Sequence, residues 1–447
     1  MFSIFRIALR RIPQNPRRAR YALRRASLVV AVAVLLAQAT PLMAAVALSL
    51  PDALQLAAAR SRQLPAQDAL ATAAREQAVA AGQLPDPVLK LGVNNLPIDG
   101  PDRFSLTRDF MTMRSLGVMQ EFTRGGTRKA RAARFEREAE AAQATRQLAL
   151  ANLQRDTAAA WLDRFFQERM RDLLVTQRDE ANLQIDTADA AYRGARGSQA
   201  DLFAARSAVA QMEDRVAQAE RQVATAKTQL QRWVGTDAGK PLGTLPVLDT
   251  VRLHPEALET QLSHHPQIEV LVKREAVAQA EADIAQADKQ SDVSVELMVN
   301  QRGPAFSNMV SLNVSIPLQW DQKNRQDREL RAKLSIVEQL RDEREEATRM
   351  HVADARALLQ EWRSNRERLS RYDTTLLPLA GERTRATIAA YRGYIGSLSA
   401  VLEARRGEID MRIERLRLEM DTARLWAQLN YLIPASSTPD AASTSSH

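Results

Sequence analysis

The stretch Ala190-Ala191-Tyr192-Arg193-Gly194 occurs a second time as Ala389-Ala390-Tyr391-Arg392-Gly393, 199 residues further along the chain. Three weaker matches occur in the same order at similar offsets. They are Pro51-Asp52-Ala53-Leu54 with Pro255-Glu256-Ala257-Leu258, Val93-Asn94 with Val299-Asn300, and Ser115-Leu116-x-Val118 with Ser311-Leu312-x-Val314. Four ordered matches predict two similar halves of about 200 residues each, a period far longer than that of solenoid repeats.

Each half is predicted to contain a helical stretch, two strands and a long helical hairpin, in that order. Alanine-rich segments with apolar residues at helical spacing cover about 50–83 and 254–290. Apolar and polar residues then alternate, which is typical of a sheet with one apolar and one polar face. The alternating runs are 89–94 and 115–122, then 295–299 and 310–316, with loops at 95–102 and 301–307.

A very long helix is predicted after the first strand pair. No proline occurs between Pro101 and Pro241, and no glycine occurs from Thr127 to Tyr192, so this helix alone would be about 100 Å long. Glycines after each repeated tyrosine can end a helix and let the chain reverse. Each half therefore has a helical hairpin.

The returning helices have apolar residues at alternate spacings of three and four, which is coiled-coil spacing. The first seam extends from Leu202 to Trp233, and the second extends from Leu402 to Ala427 with Arg406 within it. Pro378 is expected to kink the descending helix of the second half.

The net charge of +8 comes from the first 47 residues, whose charged residues are eight arginines; the remainder has 54 basic and 54 acidic residues. A neutral chain argues against a nucleic-acid binder, which needs a net basic face. The first segment also has an apolar run at 28–37 and an A-x-A motif ending at Ala47. This pattern predicts a secretory signal peptide, with an uncleaved amphipathic anchor as the alternative.

The predicted fold class is mainly α with a small β part. We expect a signal peptide at 1–47, a first repeat at 48–240, an inter-repeat linker at 241–252, a second repeat at 253–433 and a disordered tail at 434–447.

Catalytic signatures are absent from the sequence. There is no cysteine, and therefore no disulfide, thiolate metal site or cysteine nucleophile. We find no H-E-x-x-H, P-loop, G-x-S-x-G or dinucleotide motif. The His264-His265 pair before Pro266 is interpreted as a surface turn rather than a metal site. We therefore expect neither an enzyme nor a bound cofactor.

Four strands with one apolar and one polar face cannot close a sheet alone, and open sheet edges aggregate. A closed barrel assembled from several subunits would solve this, with the helices continuing as a tube. Apolar-out, polar-in alternation is typical of a transmembrane barrel.

At this point the residues resemble the TolC-like outer membrane factors, the exit ducts of tripartite efflux pumps and type I secretion. The matching motifs are the opening Leu48-Ser49-Leu50-Pro51-Asp52-Ala53-Leu54, the lead Gln83-Leu84-Pro85-Asp86-Pro87 and the two Tyr-x-x-x-x-Gly-Ser hairpin tips. The resemblance implies a homotrimer in the outer membrane, with a twelve-stranded barrel and a periplasmic helical tunnel. It also implies a periplasmic adaptor and an inner membrane RND pump as partners.

A narrower resemblance concerns the cargo. The stretch from Ser105 to Met113, followed by Gln120-Glu121-Phe122, is similar to the heavy-metal branch of the family. Met111, Met113 and Met119 are candidate thioether ligands for Cu(I) or Ag(I). The alternative is that these methionines serve packing or lipid contact.

The resemblance assigns functional residues to the hairpin tips. Tyr391 matches the gate tyrosine and Glu403 an acidic gate position, while Ala400 and Gly396 depart from the family pattern; Asp201 could complete the gate. A ring of three carboxylates would attract cations, whereas the alternative is ordinary exposed acids on a coiled coil. The tip residues expected at the adaptor-docking surface are Tyr192, Arg193, Gly194, Gly197, Ser198, Arg392, Gly393, Gly396 and Ser397.

Other interpretations remain open. The duct could carry drugs or exported polypeptides instead of metal cations. Less favoured are a periplasmic adaptor, which would have one hairpin and Gly-rich β-domains, and a structural coiled coil, which would not need the alternating strands.

Overall fold

The computed structural model describes residues 47–195, 197–253, 265–393 and 395–432. The predicted signal peptide up to residue 46, the start of the second repeat at 254–264, which includes His264, and the predicted tail at 434–447 lie outside these ranges.

Four antiparallel strands form one sheet in the order β1-β2-β3-β4. The strands are β1 (Val88–Asn94), β2 (Met113–Phe122), β3 (Val293–Gln301) and β4 (Met309–Ser315). The two halves share this sheet because β2 pairs with β3, with Leu116 opposite Val299. The predicted strands are confirmed, but the β1–β2 loop extends over 95–112 and is longer than predicted.

Shorter helices precede each strand pair. In the first half they are α1 (Leu50–Arg60) and α2 (Gln63–Ala81), and Ser49 caps α1 by accepting the Asp52 N–H at 3.3 Å. The sequence predicted one helical stretch here, whereas the structure breaks it at residues 61–62.

The first hairpin consists of α3 (Gly125–Arg193) and α4 (Gln199–Val234). As predicted, α3 is a single helix, and it has 69 residues. The buried seam of α4 follows the predicted positions but ends at Val234, while Trp233 is only half-buried. A strict 3.5-residue spacing drifts around a helix of 3.6 residues per turn, which accounts for this shift by one residue.

The second hairpin descends through α6 (Gln326–Arg371), a π turn (Tyr372–Leu376) and α7 (Leu377–Arg392), and returns in α8 (Leu398–Asn430). The second-half equivalent of α2 is α5 (Pro266–Ala287). Pro378 lies in the first turn of α7, directly after the π turn. The sequence predicted a kink at this proline. The structure shows a change from α-helical to π-helical hydrogen bonding just before it, and proline has no N–H to continue the α-helical pattern.

Arg406 does not lie in the seam of α8, so that prediction is wrong. Its side chain is exposed and points toward Asp410 at 3.9 Å. The buried positions at this end of the helix are Leu398, Val401 and Ala404. The seam therefore passes to the side of the arginine, which keeps its charge in solvent.

The largest core lies around the middle of the long helices. Trp161, Leu162 and Phe166 of α3 are fully buried there together with Leu230 of α4 and Leu429 of α8. The Trp161 Nε1–H donates to the Leu48 carbonyl at 3.0 Å. The segment just before α1 is thus held against the core of both hairpins.

The segment between the halves is also fixed to this core. Arg164 of α3 is buried and donates to the carbonyls of Ala238 at 2.7 Å and Lys240 at 2.9 Å. Its third partner is the Glu168 carboxylate at 2.8 Å. Further along, Trp426 of α8 donates to the Thr250 carbonyl at 2.8 Å.

Candidate functional site

Both hairpin tips begin where a long helix ends at the repeated Tyr-Arg-Gly. Gly194 and Gly393 cap α3 and α7, as predicted, and their N–H groups donate to the carbonyls of Ala190 and Ala389. However, their φ angles of −79° and −81° are ordinary, so neither glycine supplies a left-handed turn. In the first tip the left-handed residue is Ala195, with φ 54°.

The second glycine of each tip permits a close approach of the backbone. The Gly197 N–H donates to the Ala191 carbonyl at 3.0 Å, and the Gly396 N–H donates to the Ala390 carbonyl at 3.1 Å. A Cβ atom would lie 3.2 Å from the Ala191 Cβ in the first tip and 3.1 Å from the Ala390 Cβ in the second. Both tips therefore favour glycine at this position, because any side chain would push the neighbouring helix turn aside.

A serine follows each of these glycines and caps the returning helix. Ser198 accepts the Asp201 N–H at 3.1 Å, while the Asp201 carboxylate accepts the Ser198 N–H at 3.0 Å. This reciprocal pair is a capping box, and it already occupies the Asp201 side chain. Ser397 caps α8 by accepting the Ala400 N–H at 3.3 Å. Alanine has no side-chain acceptor for the Ser397 N–H, so the second hydrogen bond of a capping box is missing in this tip.

Tyr391 joins a small apolar cluster that connects the two tips. Ala188 of α3, Leu202 of α4 and Val401 of α8 are buried in it, and Tyr391 packs against them half-buried. Tyr192, the equivalent tyrosine of the first half, is 44% exposed. The two repeated tyrosines therefore have different surroundings, although their local sequence is the same.

Glu403 lies on the exposed side of α8 and is paired. Its carboxylate accepts from Arg383 of α7 at 3.1 Å, with the Glu403 side chain 76% exposed. Asp201 is held by Ser198 instead, so the structure gives the two predicted acidic residues different partners. Both tip arginines, Arg193 and Arg392, are exposed, and Arg193 pairs with Asp189 at 2.6 Å.

A groove of about 380 Å³ lies next to Glu403, between α3, α4 and α8. Two ion pairs cross it: Arg405 with Glu180 at 2.6 Å and Arg215 with Asp410 at 2.8 Å. Sequence reasoning missed these four residues, because each pair joins helices about 200 positions apart and leaves no local signal.

The two faces of the sheet differ sharply. One face exposes aliphatic side chains on all four strands; those more than half exposed are Leu89, Leu91, Leu116, Leu297, Val299, Val310, Leu312 and Val314. The other face has polar contacts, including Lys90 with Glu296 at 3.1 Å. An apolar patch of this extent on a sheet is a binding or membrane surface rather than a solvated one.

The candidate thioether ligands Met111, Met113 and Met119 do not lie on the apolar face of the sheet. Met113 and Met119 share the polar face with Met298 and Met309, as the strand register shows, and Met111 lies in the β1–β2 loop. Met113 and Met119 therefore lie on the opposite face of the sheet from the exposed aliphatic side chains.

His265 is buried, with 4% of its surface exposed, so its interpretation as a surface turn is wrong. Its Nδ1 accepts the Gln267 N–H at 3.2 Å and thereby caps α5. Its ring lies 4.9 Å from that of His351 in α6. Burial, with smaller contributions from His351 and Arg155, lowers the pKa of His265 to about 4.

Within the described ranges, no cluster of three or more acidic or histidine side chains has metal-site geometry. Within the same ranges, no helix combines the length and the apolar character that a membrane crossing needs.

No family model matches the chain, and no curated protein matches it in sequence. Solved structures do match. The outer-membrane channel OprN aligns with a TM-score of 0.72 at 16% identity, over 86% of this chain and 90% of its own. VceC, an outer membrane protein from Vibrio cholerae, aligns with a TM-score of 0.71 at 16% identity, over 86% and 95%.

CusC, a protein that forms a transmembrane channel, aligns with a TM-score of 0.67 at 16% identity, over 86% of this chain and 92% of its own. The chain has the fold of outer membrane channels. It is mainly α, with long helical hairpins and a small four-stranded sheet, as the sequence predicted. Two of these neighbours, OprN and CusC, are channel proteins.

Proposed function

We propose that this protein is the outer membrane exit channel of a tripartite efflux pump of the RND type, and that it conducts heavy-metal cations passively as a homotrimer. The observation that carries the proposal is the sheet, which has an exposed apolar face and a polar face and is joined to two helical hairpins. Three such sheets give a closed twelve-stranded barrel, apolar toward lipid and polar toward the lumen. The helices continue the barrel as a tunnel in the periplasm.

The hairpin tips are the proposed gate and the proposed docking surface for the periplasmic adaptor. Tyr391 holds the two tips together through the apolar cluster at their base. Glu403 forms the cation-selective ring, with its charge balanced by Arg383 of the same hairpin. Asp201 contributes by fixing the start of α4, so that its part in the gate is to position the tip.

Metal cations are the proposed cargo, with drugs or exported polypeptides as the second candidate. The supporting observation is that four methionines, Met113, Met119, Met298 and Met309, lie on the face that would line the lumen. Thioethers are soft ligands that suit Cu(I) and Ag(I).

Expression of the full gene, followed by separation of the membranes and light scattering of the detergent-extracted protein, tests the channel. We expect a trimer in the outer membrane fraction. A soluble periplasmic monomer or dimer would contradict the proposal and favour the adaptor or coiled-coil interpretations.

The gate is tested in the same trimer with Glu403→Gln. Removal of this carboxylate leaves Arg383 unpaired, so we expect a lower cation-to-anion permeability ratio in planar bilayers and lower metal tolerance in cells. Glu414→Gln is the matched control, because Glu414 lies on the same helix and pairs with Arg417 at 2.8 Å. Equal selectivity of the two variants would contradict the gate assignment, and loss of drug tolerance alone would favour the second cargo.

A further inference from the structure

One amide or hydroxyl side chain from each strand forms a hydrogen-bonded row across the polar face of the sheet. Asn94 Nδ2 donates to Ser115 Oγ at 2.6 Å, and Ser115 Oγ donates to Asn300 Oδ1 at 2.8 Å. Asn300 Nδ2 then donates to Ser311 Oγ at 2.8 Å. We call these four residues the Asn-Ser row, and every donor in it points from β1 toward β4.

The row is complete at its centre and open at its ends. Ser115 and Asn300 are buried, whereas Asn94 is exposed on the edge strand β1. Among the described residues, the Asn94 Oδ1 accepts no hydrogen bond and the Ser311 hydroxyl donates none, although both have this capacity. The sheet therefore has a free acceptor at one edge and a free donor at the other.

We propose that a second copy of this chain completes the row: the Ser311 hydroxyl of one copy donates to the Oδ1 of the partner's Asn94. This inference rests on the proposed barrel of three copies. Because the strands alternate in direction, β4 meets the partner's β1 in an antiparallel pair, as at every other strand boundary. Repeated around the barrel, the row becomes a closed ring with one donor direction.

The strand register agrees with such a ring. Ser115 pairs directly with Gly92, two residues from Asn94, and Ser311 pairs directly with Met298, two residues from Asn300. At both of these boundaries the row therefore shifts by two residues, in the same direction along the sheet. The central step, from Ser115 to Asn300, is a direct pair.

In a barrel, the strands are tilted by about 35–45° to the axis. A horizontal circle around the barrel therefore shifts along the strands, relative to the direct pairing, by about 1 to 1.5 residues at each strand boundary, or about 4 to 6 residues over four boundaries. The row inside one copy already accounts for four of these. The boundary step is then a direct or a diagonal neighbour, and both are within reach of these side chains.

The ring would select the register between copies. A slip by one residue turns every apolar side chain toward the lumen, but a slip by an even number keeps all of them on the lipid side. The apolar pattern alone therefore does not choose among the even registers, whereas the donor and acceptor at the ends of the row meet only near one of them. Each bond in a wet lumen adds little free energy, so register is the main effect.

Paired cysteines test this contact directly, because the chain has no cysteine of its own. In the full-length trimer we expect Asn94→Cys with Ser311→Cys to give covalently linked dimers and trimers on denaturing gels, after oxidation or with a short bifunctional thiol reagent. Each single variant is a control. Asn94→Cys with Ser315→Cys is the matched pair, because Ser315 is on the same face of β4 but about 13 Å further along.

Stronger linking of the Ser315 pair, or an intact trimer with no linking of the Ser311 pair, would overturn the proposed register. Light scattering of the same samples separates failure of the register proposal from failure of the proposed trimeric channel. If no trimer forms in the outer membrane fraction even for the unmodified chain, the proposed channel fails, and the ring fails with it.

Discussion

At the scale of single residues, small side chains decide how the hairpin tips are built. Gly197 and Gly396 leave room for the last turn of the preceding helix, and the serine after each glycine caps the next helix. The charged residues of the tips contribute less to the tip structure, since Glu403 and Arg383 pair on an exposed surface. Exposed ion pairs of this kind add little to stability, so their contribution is to the local field.

Gly396→Ala is expected to loosen the second tip. The new methyl group would lie 3.1 Å from the backbone of Ala390 and Tyr391, so one of the two segments must move. Crowding of this kind costs about 1 to 3 kcal/mol. Amide hydrogen exchange should therefore accelerate at the tip by roughly fivefold or more, and binding of the proposed adaptor should weaken.

Gly407→Ala is the control for this substitution. It is on the same helix, α8, but nothing lies within 4 Å of the position that its new methyl group would take, and alanine favours helix. Equal exchange at the tip in both variants would show that the close approach at Gly396 does not matter.

Some of the candidate site was predictable from local sequence, and some was not. The glycines and serines of the tips repeat at fixed spacing, so their turn was visible. The cap at Asp201 was readable from Ser198-x-x-Asp201, although the resemblance pointed to a gate. Pairs such as Arg405 with Glu180 depend on how α8 lies against α3, which no local pattern contains.

At the scale of elements, the start of α5 has an unusual cap. A buried histidine performs the role that serine or aspartate has at other helix starts, and it does so between His351 of α6 and Arg155 of α3. Among the described residues, the charged groups that act on its pKa are His351 and Arg155, and no carboxylate is among them. Since the cap uses Nδ1 as an acceptor, protonation at that atom would remove it.

The stability of this helix start should depend on pH. Above about pH 6.5 the imidazole is neutral in the folded and the unfolded chain, so His265 adds no pH dependence. As the pH falls toward 4, the unfolded chain binds a proton that the folded chain does not, and about 3 kcal/mol of stability is lost. The protection factor for amide exchange in the first turn of α5, which corrects for the intrinsic pH dependence of exchange, should therefore fall from pH 7 to pH 5.

His265→Asn separates the cap from the titration. Asparagine keeps an acceptor for the Gln267 N–H but does not titrate, so the variant should show little change over the same pH range. An acid response equal to that of the unmodified chain would assign the effect to another group.

Periodicity predicted most of the elements, because long helices and alternating strands leave strong patterns in the sequence. The strands and α3 agree with the prediction within a few residues. The burial of His265 could not be predicted, since its partner His351 is on another helix 86 positions later. The position of Arg406 was wrong because heptad spacing alone does not say which side of the helix contacts the neighbouring hairpin.

At the scale of the whole molecule, one buried region joins the two halves. The tryptophans of α3 and α8 hold the segment before α1 and the inter-repeat segment by hydrogen bonds to backbone carbonyls. Arg164 adds a charged group between Ala238 and Lys240. A thin bundle with few aromatic residues concentrates them where the halves meet, which is where packing is most needed.

Arg164→Leu is expected to release the inter-repeat segment. The substitution removes hydrogen bonds to two carbonyls and leaves Glu168 without its partner, a loss of about 3 kcal/mol. Trypsin does not cut the Lys240-Pro241 bond, but limited digestion should cut faster after Arg252, at the end of the inter-repeat segment. The protein should also melt at a lower temperature.

Arg171→Leu serves as the comparison, because Arg171 is on the same helix and pairs only with the adjacent Asp172 at 2.6 Å in solvent. Similar digestion of both variants would mean that Arg164 does not hold the segment.

The π turn at Tyr372–Leu376 allows the helix to contain one extra residue without rotating the part that follows. The half-buried positions step from Tyr372 to Leu377, five residues, while α6 before the turn and α7 after it both contact α8. In an ordinary α-helix one extra residue rotates everything beyond it by about 100°. Here the wider turn takes up the extra residue, so a change in length does not alter which side of the helix faces α8.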